Sequence, residues 1–159
     1  MLTKPKVIVI VGPTAVGKTA LSIHLAKLFK GEIISADSRQ IYHQLDIGTE
    51  KITTEEMDGV PHHLISSVDP SEQYTALNFK TDADKLIKEI KGREHLPIIV
   101  GGTFFYINVW LGRANLPNVP PGKVLRKKLD TKSNTELYQQ LAKTDPNRAG
   151  TITKTTEDD

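Results

Sequence analysis

Residues 12–19 read Gly12-Pro13-Thr14-Ala15-Val16-Gly17-Lys18-Thr19, the G-x-x-x-x-G-K-T pattern of a phosphate-binding loop. The chemistry of such a loop lies mostly in its backbone. Successive N–H groups turn inward to form an anion cradle, and the helix that follows adds its free N–H groups and the positive end of its dipole. Lys18 brings a point charge to the outer phosphates, and the Thr19 hydroxyl is suited to ligate Mg2+. Two further stretches carry groups that could act on a bound phosphate compound. Asp37, in Asp37-Ser38-Arg39-Gln40, could hold Mg2+ through water, accept a proton from a nucleophile, or cap the next turn. Gly101-Gly102-Thr103 pairs two glycines with a hydroxyl, which suits close approach of backbone to ligand or a tight turn. His62-His63 invites a metal reading. Neighbours on an extended segment point to opposite faces, however, and no cysteine or carboxylate cluster accompanies them. Hydrogen bonding or stacking to a ligand stays open for the pair.

These residues need elements to hold them. Val7-Ile8-Val9-Ile10-Val11 before the loop predicts a buried strand. Leu21, Leu25, Leu28 and Phe29 after it fall on one stripe of a predicted helix that stops at Lys30-Gly31. Glu32 to Ala36 predicts a second strand, so the two strands form a βαβ unit with a right-handed crossover, and Asp37 sits at a strand's carboxyl end. That edge is where open α/β sheets bind ligands. Phe79, Ala83, Leu86, Ile87 and Ile90 predict a helix, with Thr75 as N-cap and Gly92 as stop. Leu96 to Val100 predicts a third strand, ending at the glycine pair, and Phe104 to Leu111 an apolar helix. The fold class expected is α/β: a P-loop NTPase-like three-layer sandwich with a mainly parallel sheet, truncated, with a helical C-terminal extension.

The absence of an acidic residue after Ile98-Ile99-Val100 argues against a motor or switch NTPase, many of which keep a Mg2+-binding aspartate there. Small-molecule kinases and other phosphate-handling transferases remain. The chain has 159 residues and no cysteine, so thiolate metal sites and disulfides are excluded. No apolar run approaches the ~20 residues of a membrane span, and the N-terminus lacks a signal-peptide pattern. A cytoplasmic protein with no membrane partner is expected. The net charge is +2, and three acidic residues close the chain, so the remainder is mildly basic. That balance permits nucleic-acid binding without arguing for it.

After Gly112 the composition shifts. Residues 1–115 are read as the P-loop α/β core. Residues 116–159 are read as a proline-rich link, a basic helical segment and a frayed tail, an incomplete second half. The link is Leu116 to Gly122, and the basic segment Lys123 to Lys132 includes Arg126. Ser133 with Glu136 predicts a capping box, and Asp145-Pro146 a helix start cut short at Gly150.

Taken together, the P-loop, Glu32 to Tyr42, Leu45-Asp46-Ile47-Gly48-Thr49, Val60-Pro61-His62-His63-Leu64 and Val100-Gly101-Gly102-Thr103 with Tyr106 resemble the tRNA dimethylallyltransferase (isopentenyltransferase) family over residues 6 to 152. The resemblance implies a prenyltransferase whose P-loop grips the diphosphate of dimethylallyl diphosphate rather than ATP, with Mg2+ at Thr19. It implies prenyl transfer to N6 of the tRNA adenosine 3′ of the anticodon, with Asp37 as general base and Thr103 positioning groups. Asp37, Ser38, Arg39, Gln40 and Thr103 would meet the flipped-out adenosine, and Arg126 would meet tRNA. The partners implied are the tRNA anticodon stem-loop and dimethylallyl diphosphate, with the chain a monomer. Family members run well beyond this length, so the chain resembles an N-terminal portion. A small-molecule kinase and a catalytically impaired diphosphate-binding fragment are the competing expectations.

Overall fold

The computed structural model describes residues 6–114, 116 and 122–152. It divides into two compact units, Met1–Leu116 and Pro117–Asp159.

The first unit is built on a four-stranded parallel sheet in the order β1-β4-β2-β3: β1 (Ile8–Val11), β2 (Gly31–Ser35), β3 (His62–His63) and β4 (Leu96–Gly101). All three pairings are parallel. Helix α1 (Lys18–Phe29) makes the crossover from β1 to β2, and α2 (Ala76–Gly92) leads into β4, which is followed by α3 (Phe104–Trp110). The two faces of the sheet bury separate cores. Ile33, Ile98 and Val100 pack with Ala26 of α1, while Ile34 and Ile99 pack with Phe79, Ala83, Ile87 and Ile90 of α2 and Tyr106, Ile107 and Val109 of α3. This is the three-layer α/β arrangement, and it follows from strand positions that alternate faces while both faces are covered. Helix α2 begins at Thr75 as its spacing predicts. Thr75 caps Asn78 N, and the Asn78 side chain returns the bond to Thr75 N.

Helix α1 differs from its apolar stripe. Its buried residues are Ser22 and Ala26, whereas Leu21, Leu28 and Phe29 are about half exposed or more. The reason is closeness. A Cβ built on Gly31 would lie 3.1 Å from the Ala26 Cα and 2.8 Å from Ile98 Cδ1, so a small side chain stands where α1 crosses the sheet, while Ile23 and Leu25 pack partly buried against the same core. The helix stop also shifts by one residue. Lys30 itself takes the left-handed conformation, at φ 50°, and Gly31 opens β2. Among the described residues β1 pairs only with β4, so its outer edge is open.

In the second unit, α4 (Lys123–Leu129) buries no residue, α5 (Asn134–Thr144) begins at the Ser133–Glu136 capping box, and α6 (Pro146–Gly150) begins at Asp145, whose Oδ1 accepts from Arg148 N at 2.9 Å. The expected proline-rich stretch 117–121 and the tail beyond Ile152 lie outside the described residues. Among the described residues no helix is long and apolar enough to cross a membrane.

Candidate functional site

Three chain segments leave the carboxyl edge of the sheet together: the P-loop after β1, Asp37 after β2 and Gly102-Thr103 after β4. They surround a cavity of about 360 Å³. Its walls include Lys18 and Thr19 of the P-loop, Asp37, Gln40 and His62. Asp37 follows β2, which is separated from β1 by β4, so the aspartate stands one strand away from the phosphate loop.

The P-loop has the geometry of an anion cradle. Ala15 and Gly17 both take positive φ, 64° and 84°, and Gly17 is the N-cap of α1, contributing no side chain there. The first turn of a 12-residue helix therefore faces the cavity with its N–H groups free of a side-chain cap. Lys18 Nζ donates to the Pro13 carbonyl at 2.5 Å, which folds the lysine back over the loop. Ser22 Oγ donates to Thr19 O at 2.8 Å.

Asp37 divides its two oxygens. Oδ1 accepts from Arg39 N at 2.8 Å and Gln40 N at 3.1 Å, so the carboxylate caps its own turn. Oδ2 has no hydrogen bond among the described residues and remains available on a half-buried side chain that lines the cavity. The cap and the base, alternatives in sequence, are compatible in space because they use different atoms.

Thr103 fastens this turn. Its Oγ1 accepts from Ser38 N at 3.0 Å and reaches Ser38 Oγ at 3.4 Å. Gly101 explains how the two strand ends come so close. A Cβ there would stand 2.2 Å from the Ala36 carbonyl oxygen, and Thr103 N donates to that same oxygen at 3.2 Å. The glycine thus serves strand-to-strand contact. Tyr106 belongs to the core, stacked on Phe79 with ring centroids 5.2 Å apart, and its hydroxyl donates to Tyr74 O at 3.2 Å. Of the other residues expected to meet RNA, Arg39 is exposed beside the cavity turn, and Arg126 lies on α4 in the second unit.

Gln40 has a structural task that its position in the motif did not announce. Its Nε2 donates to Thr49 O and Glu50 O, both at 3.0 Å, holding the next loop against the cavity. That loop is further clasped by Lys51, a nearly buried lysine whose Nζ donates to Tyr42 O at 2.7 Å, Asp46 Oδ1 at 2.6 Å and Ser66 Oγ at 2.9 Å.

The two histidines point to opposite faces, as alternation requires. His62 lines the cavity, and its Nδ1 donates to Val60 O at 2.8 Å. Burial holds this imidazole below its ordinary range, and His63 adds to the effect. His63 turns away, to Glu32. That carboxylate is 3% exposed and also accepts from Arg93 Nε and Nη2, at 2.9 and 2.7 Å, and pairs with His95 Nδ1 at 2.8 Å. Arg93, then the two histidines, overcome burial and bring the Glu32 pKa from 4.5 to about 2. The cluster joins β2, β3 and the end of α2 beneath the site. A charged residue inside the apolar run Glu32-Ile33-Ile34 was the sequence signal for it.

The donors that meet the cavity at Thr19, Asp37 and Glu50 are all oxygens, the set a hard divalent cation prefers. Among the described residues no three His, Cys, Asp or Glu side chains gather into a metal-holding group. Mg2+ held here would draw on phosphate and water for most of its shell, which is its usual habit.

Comparison with known proteins adds a second line of argument. The model of the IPP transferase family matches residues 40–158. Among curated relatives, the tRNA dimethylallyltransferase of Halalkalibacterium halodurans is 48% identical over 153 residues, which is 94% of this chain and 49% of the relative. That of Streptococcus sanguinis is 51% identical over 142 residues, 87% of this chain and 48% of the relative. The full-length tRNA isopentenylpyrophosphate transferase of Bacillus halodurans superposes with a TM-score of 0.69 at 46% identity, covering 94% of this chain and 50% of that one. A eukaryotic dimethylallyltransferase acting on tRNA superposes with a TM-score of 0.77 at 36% identity, covering 94% and 38%. The chain spans about half the length of the curated relatives it matches.

Proposed function

The chain belongs to the IPP transferase family, and on that premise we propose that it carries the diphosphate-binding and proton-accepting part of a tRNA dimethylallyltransferase site. The donor is dimethylallyl diphosphate and the acceptor is N6 of the adenosine 3′ of the anticodon. The observation that carries the reading is the uncommitted Asp37 Oδ2 beside the P-loop cavity, on a turn that Thr103 fastens to β4.

In this mechanism the P-loop amides and Lys18 hold the diphosphate at the start of α1. Lys18 leaves Pro13 O to do so. The N6 amine attacks C1 of the allyl group, the C1–O bond breaks, and pyrophosphate leaves with the bonding electrons. Asp37 Oδ2 takes the N6 proton, while Oδ1 keeps its two backbone bonds and so keeps the carboxylate aimed. Charge growing on the leaving diphosphate meets donors already oriented, so little reorganisation is needed. Thr19 would hold Mg2+, which would neutralise diphosphate charge when bound. The adenosine reaches Asp37 only after leaving its stack. Ser38, Arg39, Gln40 and Thr103 surround its entry, and Arg126 is assigned to the tRNA backbone.

The test is transfer itself. The chain is incubated with dimethylallyl diphosphate, Mg2+ and an anticodon stem-loop, and N6-prenyladenosine is sought by mass. Asp37→Asn keeps an oxygen for the Arg39 and Gln40 amides and loses the base. It should lower transfer by about 10²–10⁴ and leave diphosphate binding nearly unchanged. Equal loss of both would make Asp37 a structural cap. A phosphorylated acceptor formed from ATP, with no prenylated adenosine, would make the protein a kinase.

A further inference from the structure

The loop from Tyr42 to Lys51 combines three features. It is clasped: Lys51 Nζ closes its ends through Tyr42 O and grips Asp46, Thr49 Oγ1 donates to Leu45 O at 2.6 Å, and Gln40 holds Thr49 O and Glu50 O. It is strained: Gln44 and Glu50 both take positive φ without being glycine, at 60° and 49°. And its tip carries Ile47, which is 100% exposed, with Leu45 at 42% on the same turn. A nearly buried lysine and two left-handed residues are thus committed to presenting an isoleucine to water. Singly exposed apolar residues are common, but one on a held tip is preorganised to meet a partner.

The position of the loop says which partner. Thr49 and Glu50, at its base, form the wall of the cavity that also contains Asp37. Ile47 is two residues from that wall, on a loop whose base is fixed to the cavity. We propose that Ile47 is an RNA-contacting wedge: it packs against the bases left behind when the reactive adenosine turns out of its stack. A flipped nucleotide leaves an unstacked step, and a rigid apolar side chain covers the exposed base face at small entropic cost. The assignment rests on the tRNA reading given above and deepens it.

The experiment measures binding of an anticodon stem-loop, with 2-aminopurine next to the reactive adenosine, and separately of dimethylallyl diphosphate. The variants are Ile47→Ala, Ile47→Asp and Ile47→Phe. Because the side chain is fully exposed, all three should melt as the parent does. Ile47→Ala should weaken stem-loop binding by at least about tenfold, the scale of one lost stacking contact, and reduce the fluorescence rise that reports unstacking. Ile47→Asp should do more, and Ile47→Phe should restore binding, since an aromatic ring also covers a base. Diphosphate affinity should stay within about twofold throughout. A parent chain that binds diphosphate but no stem-loop would overturn the tRNA reading and the wedge with it. A parent that binds the stem-loop as tightly as Ile47→Ala does would overturn the wedge alone. Loss of a concentration-dependent self-association in Ile47→Ala, with stem-loop affinity unchanged, would assign the tip to a protein contact and overturn it equally.

Discussion

The Ser38 amide donates to Thr103 Oγ1 at 3.0 Å, across 65 positions of sequence, and so locks the turn after β2 to the turn after β4. The bond lies one residue from Asp37. It couples the orientation of the carboxylate to a hydroxyl on another strand. Thr103→Val keeps the shape and removes the acceptor, so Ser38 N loses its partner. We expect a loss of about 1 kcal/mol in stability and a larger fractional loss in transfer than in diphosphate binding. Thr103→Ser should restore both. The measurements are urea unfolding and a comparison of transfer rate with diphosphate affinity.

Glu32 provides a pH prediction whose sign follows from its partners. Arg93, His63 and His95 lower its folded pKa from 4.5 to about 2. The stability this confers is fully present above pH 4.5 and is lost as pH falls from there toward 2. Glu32→Gln should cost about 2 kcal/mol at neutral pH, since the hydrogen bonds to charged partners weaken. It should also flatten the acid limb of the stability curve between those two pH values. Urea midpoints taken at several pH values for both proteins check it, and parallel acid limbs would show that Glu32 is not the group responsible.

Gly101→Ala tests the closeness of the two strand ends. The added carbon would lie 2.2 Å from Ala36 O, and the three nearest atoms are all Ala36 backbone, with no flexible side chain to yield. We expect a loss of about 3 kcal/mol, read by chemical denaturation. Gly102→Ala, whose Cβ would meet only Gly12 O at 3.6 Å, should cost far less. The contrast separates strand packing from a general intolerance of side chains near the site.

The local pattern by itself determined a good deal of this protein. A G-x-x-x-x-G-K-T stretch between a β-branched run and a helical one can be read directly, because strand, turn and helix are each encoded within a few residues. The caps at Thr75, Ser133 and Asp145 are legible for the same reason. So is the convergence of the P-loop, Asp37 and Thr103 on one edge, because parallel connections bring the strands' carboxyl ends to one side. Only the tertiary structure decided what depends on distance between segments remote in sequence. Helix α1 fully buries Ser22 and Ala26, keeps Ile23 and Leu25 partly buried and leaves Leu21 and Leu28 exposed, because it crosses close to the sheet at Gly31. Gly101 is matched to Ala36, Gln40 to Thr49 and Glu50, and Glu32 to Arg93, His63 and His95. Such pairings leave no periodic trace in the chain, since hydrogen bonding and packing are satisfied by whichever groups the fold brings within reach.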